Sequence, residues 1–221
     1  GRGWFYDLCA PSVPAYKRRH GLAEVMDYTE RDFVVLAALG IERQCTAIEL
    51  QVSAEGQRFA QTLAARLPKV HTVIGLNIGC GTPDALPRRP PLGPLAEAVH
   101  RLVQGKQAVL LLSGAPFERP INAEFMALYR ERYGETLPMV DAAGESSLLG
   151  LTGLIGLCEL FLTSDSGPYH MAVGLRVPTA VWLMRPEPSA LHSAPWAQCL
   201  LTPNPQAFAE AAEQLLASRQ R

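Results

Sequence analysis

From Val70 onward the chain alternates short, uninterrupted apolar runs with longer stretches whose apolar residues recur at helical spacing. The runs fall at 71–78 (HTVIGLNI), 108–112 (AVLLL), 137–140, 160–163 (LFLT), 179–184 (TAVWLM) and 198–202. Strands that are apolar along their whole length are buried on both faces, which implies a parallel sheet. The helical patterns between them, about 92–104, 121–133, 146–158, 168–174 and 206–218, supply the crossovers such a sheet needs. The predicted fold is therefore α/β, a doubly wound parallel sheet of the Rossmann-like kind. Ligands of such sheets sit beyond the carboxyl ends of the strands, so the chemistry is expected in the loops that follow them.

Residues 1–68 read differently. Helical patterns stand at 30–39 and 54–67, with Gly40 as a stop for the first, but strand-like runs are few. Pro68 marks the expected boundary between this mostly helical segment and a nucleotide-binding domain over 69–221. The basic run Lys17-Arg18-Arg19 reads as a solvated loop, and the proline-rich stretch 83–94 as irregular.

Composition narrows the functional classes. Of the 221 residues 48% are hydrophobic and 19% charged, with a net charge of −1, the profile of a soluble globular protein. That balance gives no support to a nucleic-acid partner. The five cysteines, Cys9, Cys45, Cys80, Cys158 and Cys199, form no Cys-x-x-Cys pair. A disulfide framework and a zinc site are thus disfavoured, and a reducing cytoplasm is the expected location. No run approaches the ~20 apolar residues of a membrane helix, and no signal-peptide pattern stands at the start. The chain opens at Gly1 without a methionine, which points to sequence missing upstream.

Among the loops, the strongest signal is Ser164-Asp165-Ser166-Gly167-Pro168, where the apolar run 160–163 meets a helix. Ser166 suits an N-cap, Pro168 suits a first helical turn, and Gly167 lets a ligand approach the backbone. A helix N-terminus with open amides attracts anions, and His170 in its first turn is placed to donate to an oxyanion. An ordinary capped helix accounts for the same residues. Asp165 suits sugar hydroxyls better than phosphate oxygens, because like charges repel.

The loop Gly79-Cys80-Gly81-Thr82-Pro83 follows the first run, and with Gly75 it superficially fits a dinucleotide-binding turn. The first glycine lies inside the strand and Pro83 interrupts the helix, so the fit is weak. No tyrosine has a lysine four residues on, which further disfavours a nicotinamide oxidoreductase. Arg88 and Arg89 offer guanidinium groups to a phosphate, or are solvated loop charge. Glu118, after Ser113-Gly114-Ala115-Pro116-Phe117, either accepts ribose hydroxyls or complements a helix dipole. No Gly-x-Ser-x-Gly elbow or His-x-x-x-His spacing supports hydrolase or metal chemistry.

Taken together, these loops resemble the ADP-heptose:lipopolysaccharide heptosyltransferases, glycosyltransferase family 9. The family's Asp-(Ser/Thr)-Gly-Pro-x-His-x-Ala stands here as Asp165-Ser166-Gly167-Pro168-Tyr169-His170-Met171-Ala172, followed by Pro178-Thr179. Its Gly-x-x-x-Glu is present as Gly114 to Glu118, Ser147-Leu148-Leu149 opens the helix before the key strand, and Leu39-Gly40-Ile41 also matches. The likeness spans roughly residues 20–215.

The resemblance implies a GT-B fold, of which this chain holds the carboxyl-terminal domain and a remnant of the amino-terminal, acceptor-side one. It implies a donor site in which Asp165 meets the sugar, the Ser166 and Gly167 amides ahead of Pro168 meet the diphosphate, and His170 assists at the phosphates. Glu118 would take the ribose, Arg88 and Arg89 would supply the basic group, and Ser146 would join them from the start of its helix. One departure stands out: Arg88-Arg89-Pro90-Pro91 replaces the family's Lys-x-Trp-Pro. The implied reaction is inverting, metal-independent transfer of a sugar, with ADP-heptose as donor and a lipopolysaccharide core or other glycan as acceptor. No cofactor and no metal are expected. Peripheral contact with the inner membrane would come through the acceptor. The family's catalytic aspartate has no counterpart here, so the chain is expected to bind donor without completing catalysis alone. The alternative is a nucleotide-binding module that has lost transfer.

Overall fold

A computed structural model describes residues 9–21, 28–42, 48–69, 72–81, 83–185, 192 and 194–219. The chain packs as two compact units, residues 1–48 with 187–193 and residues 49–186 with 194–221.

The first unit contains α1 (Val13–His20) and α2 (Tyr28–Ala37). Helix α1 replaces the solvated loop expected around Lys17, Arg18 and Arg19. It starts after Ser12 with proline in its first turn, ends on Gly21 at φ 61, and carries the basic residues in its last turn. Each feature favours a helix: proline costs nothing at the start, glycine accepts the left-handed cap, and cations complement the carboxyl-terminal dipole. Lys17 is buried rather than solvated. Helix α2 ends before Gly40, which turns the chain at φ 73.

The second unit is built on six parallel strands: β1 (Thr72–Asn77), β2 (Ala108–Ser113), β3 (Met139–Asp141), β4 (Leu160–Ser164), β5 (Thr179–Leu183) and β6 (Ala197–Leu201). Their order is β3-β2-β1-β4-β5-β6. Connections from β1 run outward on one side of the sheet and from β4 on the other, so the topological switch point falls between these two strands. All six expected strands are present, with small shifts at their ends. His71 lies outside the described residues, and β3 starts later than expected because Pro138 has no N–H to give the ladder.

Helices cover both faces: α3 (Ala54–Ala64), α4 (Leu92–Val103), α5 (Arg119–Tyr133), α6 (Leu148–Gly156), α7 (Gly167–Gly174) and α8 (Pro205–Arg219). Alternate strand residues point to opposite sides. Ile74, Leu76, Leu110, Leu112, Leu160 and Leu162 join one core layer with Val99 of α4, Phe125 of α5 and Phe208 of α8. Leu111 and Phe161 join the other, with Leu63 of α3, Leu154 of α6 and Ala172 of α7. Gly75 serves this second layer. A Cβ there would lie 2.5 Å from the Phe161 ring and 2.7 Å from the Cys158 sulfur, so the glycine makes room for core residues rather than for a nucleotide.

Helices α3 and α6 approach backbone to backbone. A Cβ on Gly153 would stand 1.9 Å from the Gly56 carbonyl oxygen. Helix α3 begins at Ser53, whose side chain accepts from the Gly56 amide at 3.0 Å, and α6 begins at Ser147 in the same way, on the Gly150 amide at 3.0 Å. Two serine caps thus fix where the two helices start.

Candidate functional site

The loops after β1, β2, β3 and β4 surround a cavity of about 370 Å³, lined among others by Asn77, Cys80, Gly81, Gly114, Glu118, Ser146, Leu148, Ser166 and Gly167. It lies on the carboxyl-terminal side of the sheet, beside the switch point.

Ser166 occupies the N-cap position of α7 but makes no side-chain cap hydrogen bond, contrary to the expectation for that residue. Its hydroxyl is turned into the protein instead. It lies 3.2 Å from the Thr163 hydroxyl and donates to the Asn77 side-chain oxygen at 3.4 Å. Asn77 in turn donates to the Ser113 hydroxyl at 3.3 Å, joining the ends of β1, β2 and β4. Ser166 thus leaves the start of α7 without a side-chain cap from the N-cap position, and a Cβ on Gly167 would meet nothing within 4 Å. An uncapped, open helix start carries the partial positive charge that an anion completes. Pro168, in the first turn, lines the same cavity.

Glu118 is 3% exposed and holds two loops at once. One carboxylate oxygen accepts from the Gly81 amide at 3.1 Å, the other from the Ala115 amide at 2.7 Å. The carboxylate fills the space beside Gly79, where a Cβ would fall 1.7 Å from its Oε1. The β2 and β3 loops are joined as well, since the Gly144 amide donates to the Gly114 carbonyl at 2.8 Å. Asp141, at the end of β3, accepts from the buried Asn122 side chain at 2.8 Å and from the Ala143 amide at 3.0 Å.

Arg88 closes a short 3-10 helix over Pro83–Arg88, in the stretch expected to be irregular. Its Nη1 stands 3.4 Å from Asp165 Oδ2. Among the described residues, Nε of both Arg88 and Arg89 is buried without a hydrogen-bond partner. Burial pushes the Cys80 thiol pKa up, opposed by a hydrogen bond with Ser164 and by the charges of Arg89 and Arg88. The thiol lies 3.3 Å from the Ser164 hydroxyl.

The structure thus gathers Ser166, Gly167, Pro168, Glu118 and Ser146 around one cavity and pairs Arg88 with Asp165. His170 is half-buried in the first turn of α7, its ring 4.8 Å from that of Tyr169, and is not among the cavity-lining residues. Sequence reading missed Asn77, Cys80 and the apolar wall of Pro116, Leu148 and Leu151. A signal for the first existed: Asn77 and Ser113 are polar ends on otherwise apolar strands. Leu148 is 72% exposed and Phe117, beside Pro116, 60% exposed, unusual for side chains of that size and consistent with a face for a flat ligand.

Residues 91–183 match the model for Glycosyltransferase family 9 (heptosyltransferase), so the resemblance drawn from the motifs is borne out over that stretch. Solved structures agree on the fold. Escherichia coli ADP-heptose lps heptosyltransferase II is 21% identical with a TM-score of 0.70, over 87% of this chain and 62% of that one. The family 9 glycosyl transferase of Veillonella parvula DSM 2008 is 19% identical with a TM-score of 0.72, over 89% and 63%. The E. coli heptosyltransferase WaaC with ADP is 17% identical with a TM-score of 0.56, over 89% and 57%. The chain therefore spans about three fifths of the length of these structures. No curated protein sequence matches it. The expected α/β, doubly wound, Rossmann-like parallel sheet is the one observed.

Proposed function

We propose that this chain binds the nucleoside-diphosphate sugar of a heptosyltransferase-like glycosyltransferase, with the diphosphate on the uncapped start of α7. The observation that carries the reading is the inward-turned Ser166 hydroxyl, which leaves that helix start open beside Gly167. Arg88 and Arg89 add positive charge with buried, unpartnered Nε atoms. The cavity wall of Pro116, Leu148 and Leu151 offers apolar surface to a base, and Glu118 keeps lone pairs for ribose hydroxyls beyond those its two amides use. ADP-heptose is the proposed donor, because family 9 matches over 91–183 and a structural neighbour carries ADP.

In this reading Asp165 takes sugar hydroxyls, Ser146 lies at the edge of the donor pocket, and His170 acts from behind the first turn. The transfer is inverting and metal-independent: helix amides and arginines stabilise the charge that develops on the departing diphosphate. The acceptor is a lipopolysaccharide core or another glycan, met at the cytoplasmic side of the inner membrane. Among the described residues no helix is long and apolar enough to cross a membrane. No residue here is assigned as the base, and the first unit is taken as part of an acceptor-side domain.

Melting the chain with ADP, UDP, GDP, TDP or NAD tests this. At a hundredfold excess over its dissociation constant the correct ligand adds about 2.7 kcal/mol, a rise of about 5–10 °C. ADP is expected to give that rise and NAD none. A response to NAD alone, or to no nucleoside diphosphate, rejects the donor site.

A further inference from the structure

We infer that Glu55 selects the base of the nucleotide by fixing which way the Ser147 hydroxyl points. With its hydrogen held by Glu55, that hydroxyl can only accept, so a base bearing an amino group is favoured over one bearing a carbonyl. The inference rests on the donor reading above and adds base selection to it. Ser147 lines the cavity together with Leu148 and Leu151, the apolar wall offered to the base. A serine hydroxyl has one hydrogen to give and two lone pairs to offer. Here the hydrogen goes to the Glu55 carboxylate, and one lone pair takes the Gly150 amide at 3.0 Å. What remains for the cavity is a single lone pair. Turning the hydroxyl round would forfeit the bond to Glu55 and set oxygen against oxygen.

Glu55 is not among the cavity-lining residues and acts through Ser147. The packing of α3 on α6 puts it there. Glu55 precedes Gly56, where a Cβ would lie 2.6 Å from Thr152 Oγ1 and 2.8 Å from the Leu149 carbonyl oxygen, so the first turns of the two helices meet. The loop ahead of α6 has a second tie to the same segment: just beyond α3, Arg66 Nη2 donates to Glu145 Oε1 at 3.1 Å, and its Nη1 to the other oxygen. That tie and the Gly56–Gly153 contact do not involve Glu55, so removing Glu55 frees one hydrogen while the wall keeps its place. An amino group on the base meets the spare lone pair of Ser147 with a hydrogen. A carbonyl at the same place meets it with lone pairs, and a site built to accept rejects it. Glu55 is thus a positioning residue that determines specificity.

Titration calorimetry with ADP and with inosine diphosphate, which carries a carbonyl where adenine carries its amino group, tests the selection. Wild type is expected to favour ADP by about tenfold, the scale of one hydrogen bond made or lost. Glu55→Ala, a change at an exposed position of α3, lets the hydroxyl donate and should bring the ratio below about threefold. Glu55→Gln keeps an acceptor beside Ser147 and should hold the ratio. Ser147→Ala should lower it as Glu55→Ala does, and adding Glu55→Ala to that variant should change it no further. Wild type that binds the two nucleotides equally, or Glu55→Ala that keeps the full preference for ADP, overturns the selection and leaves the donor reading standing. Wild type that binds neither overturns the donor reading, and the selection with it.

Discussion

Gly153→Ala is expected to lower the unfolding free energy by about 3 kcal/mol, at the upper end of what overpacking a closed contact costs. The reason is the identity of the atom in the way. The new Cβ would lie 1.9 Å from the Gly56 carbonyl oxygen and 2.6 Å from its carbon, so no side chain can rotate aside. Helix α3 would have to move as a body off α6, uncovering Leu63 and Leu154 in the second core layer. Chemical denaturation monitored by circular dichroism measures the loss. Alanine ordinarily favours a helix over glycine by about 1 kcal/mol. A stabilised Gly153→Ala would therefore show that the two backbones do not touch.

The second large effect is expected at Gly79, and it depends on Glu118. Alanine at 79 must expel the Glu118 carboxylate, leaving the Gly81 and Ala115 amides without their acceptor. The displaced Glu118 carboxylate is itself 3% exposed and loses both donors, so Gly79→Ala should destabilise by about 2 kcal/mol and abolish the melting shift with ADP. In a Glu118→Ala background the obstruction is gone, and the same glycine substitution should cost less than about 1 kcal/mol. A double-mutant cycle reads this coupling. Equal costs in both backgrounds would mean that the carboxylate does not occupy the space beside Gly79.

Most of the sheet was legible because its strands are nearly continuous apolar runs, and that pattern has few alternatives. What the sequence hid were features set by contacts distant in the chain. Helix α1 is short and carries a run of like charges, so local reading favoured a loop; packing against α2 and burial of Lys17 decided otherwise. The helix start after β4 was readable as Ser166-Gly167-Pro168, since those residue types have local meanings. Yet the inference that Ser166 caps its helix failed, because Thr163 and Asn77 compete for the same hydroxyl and Asn77 comes from another strand. Arg88 and Asp165 each looked chemically useful alone, but only the fold brings them within 3.4 Å. Glu118 was picked out for a ligand, while its two backbone amides belong to loops whose meeting no spacing rule predicts.

The wiring of Asn77 bears on why the start of α7 stays open. One amide side chain ties the Ser113 hydroxyl to the Ser166 hydroxyl, so the ends of three strands share a single hydrogen-bonded junction. Any movement that tips Ser166 toward its own helix must first unfasten that junction. Self-neutralisation of the helix start is thus opposed by the sheet beneath it, because the hydroxyl that would cap α7 is engaged by Thr163 and Asn77.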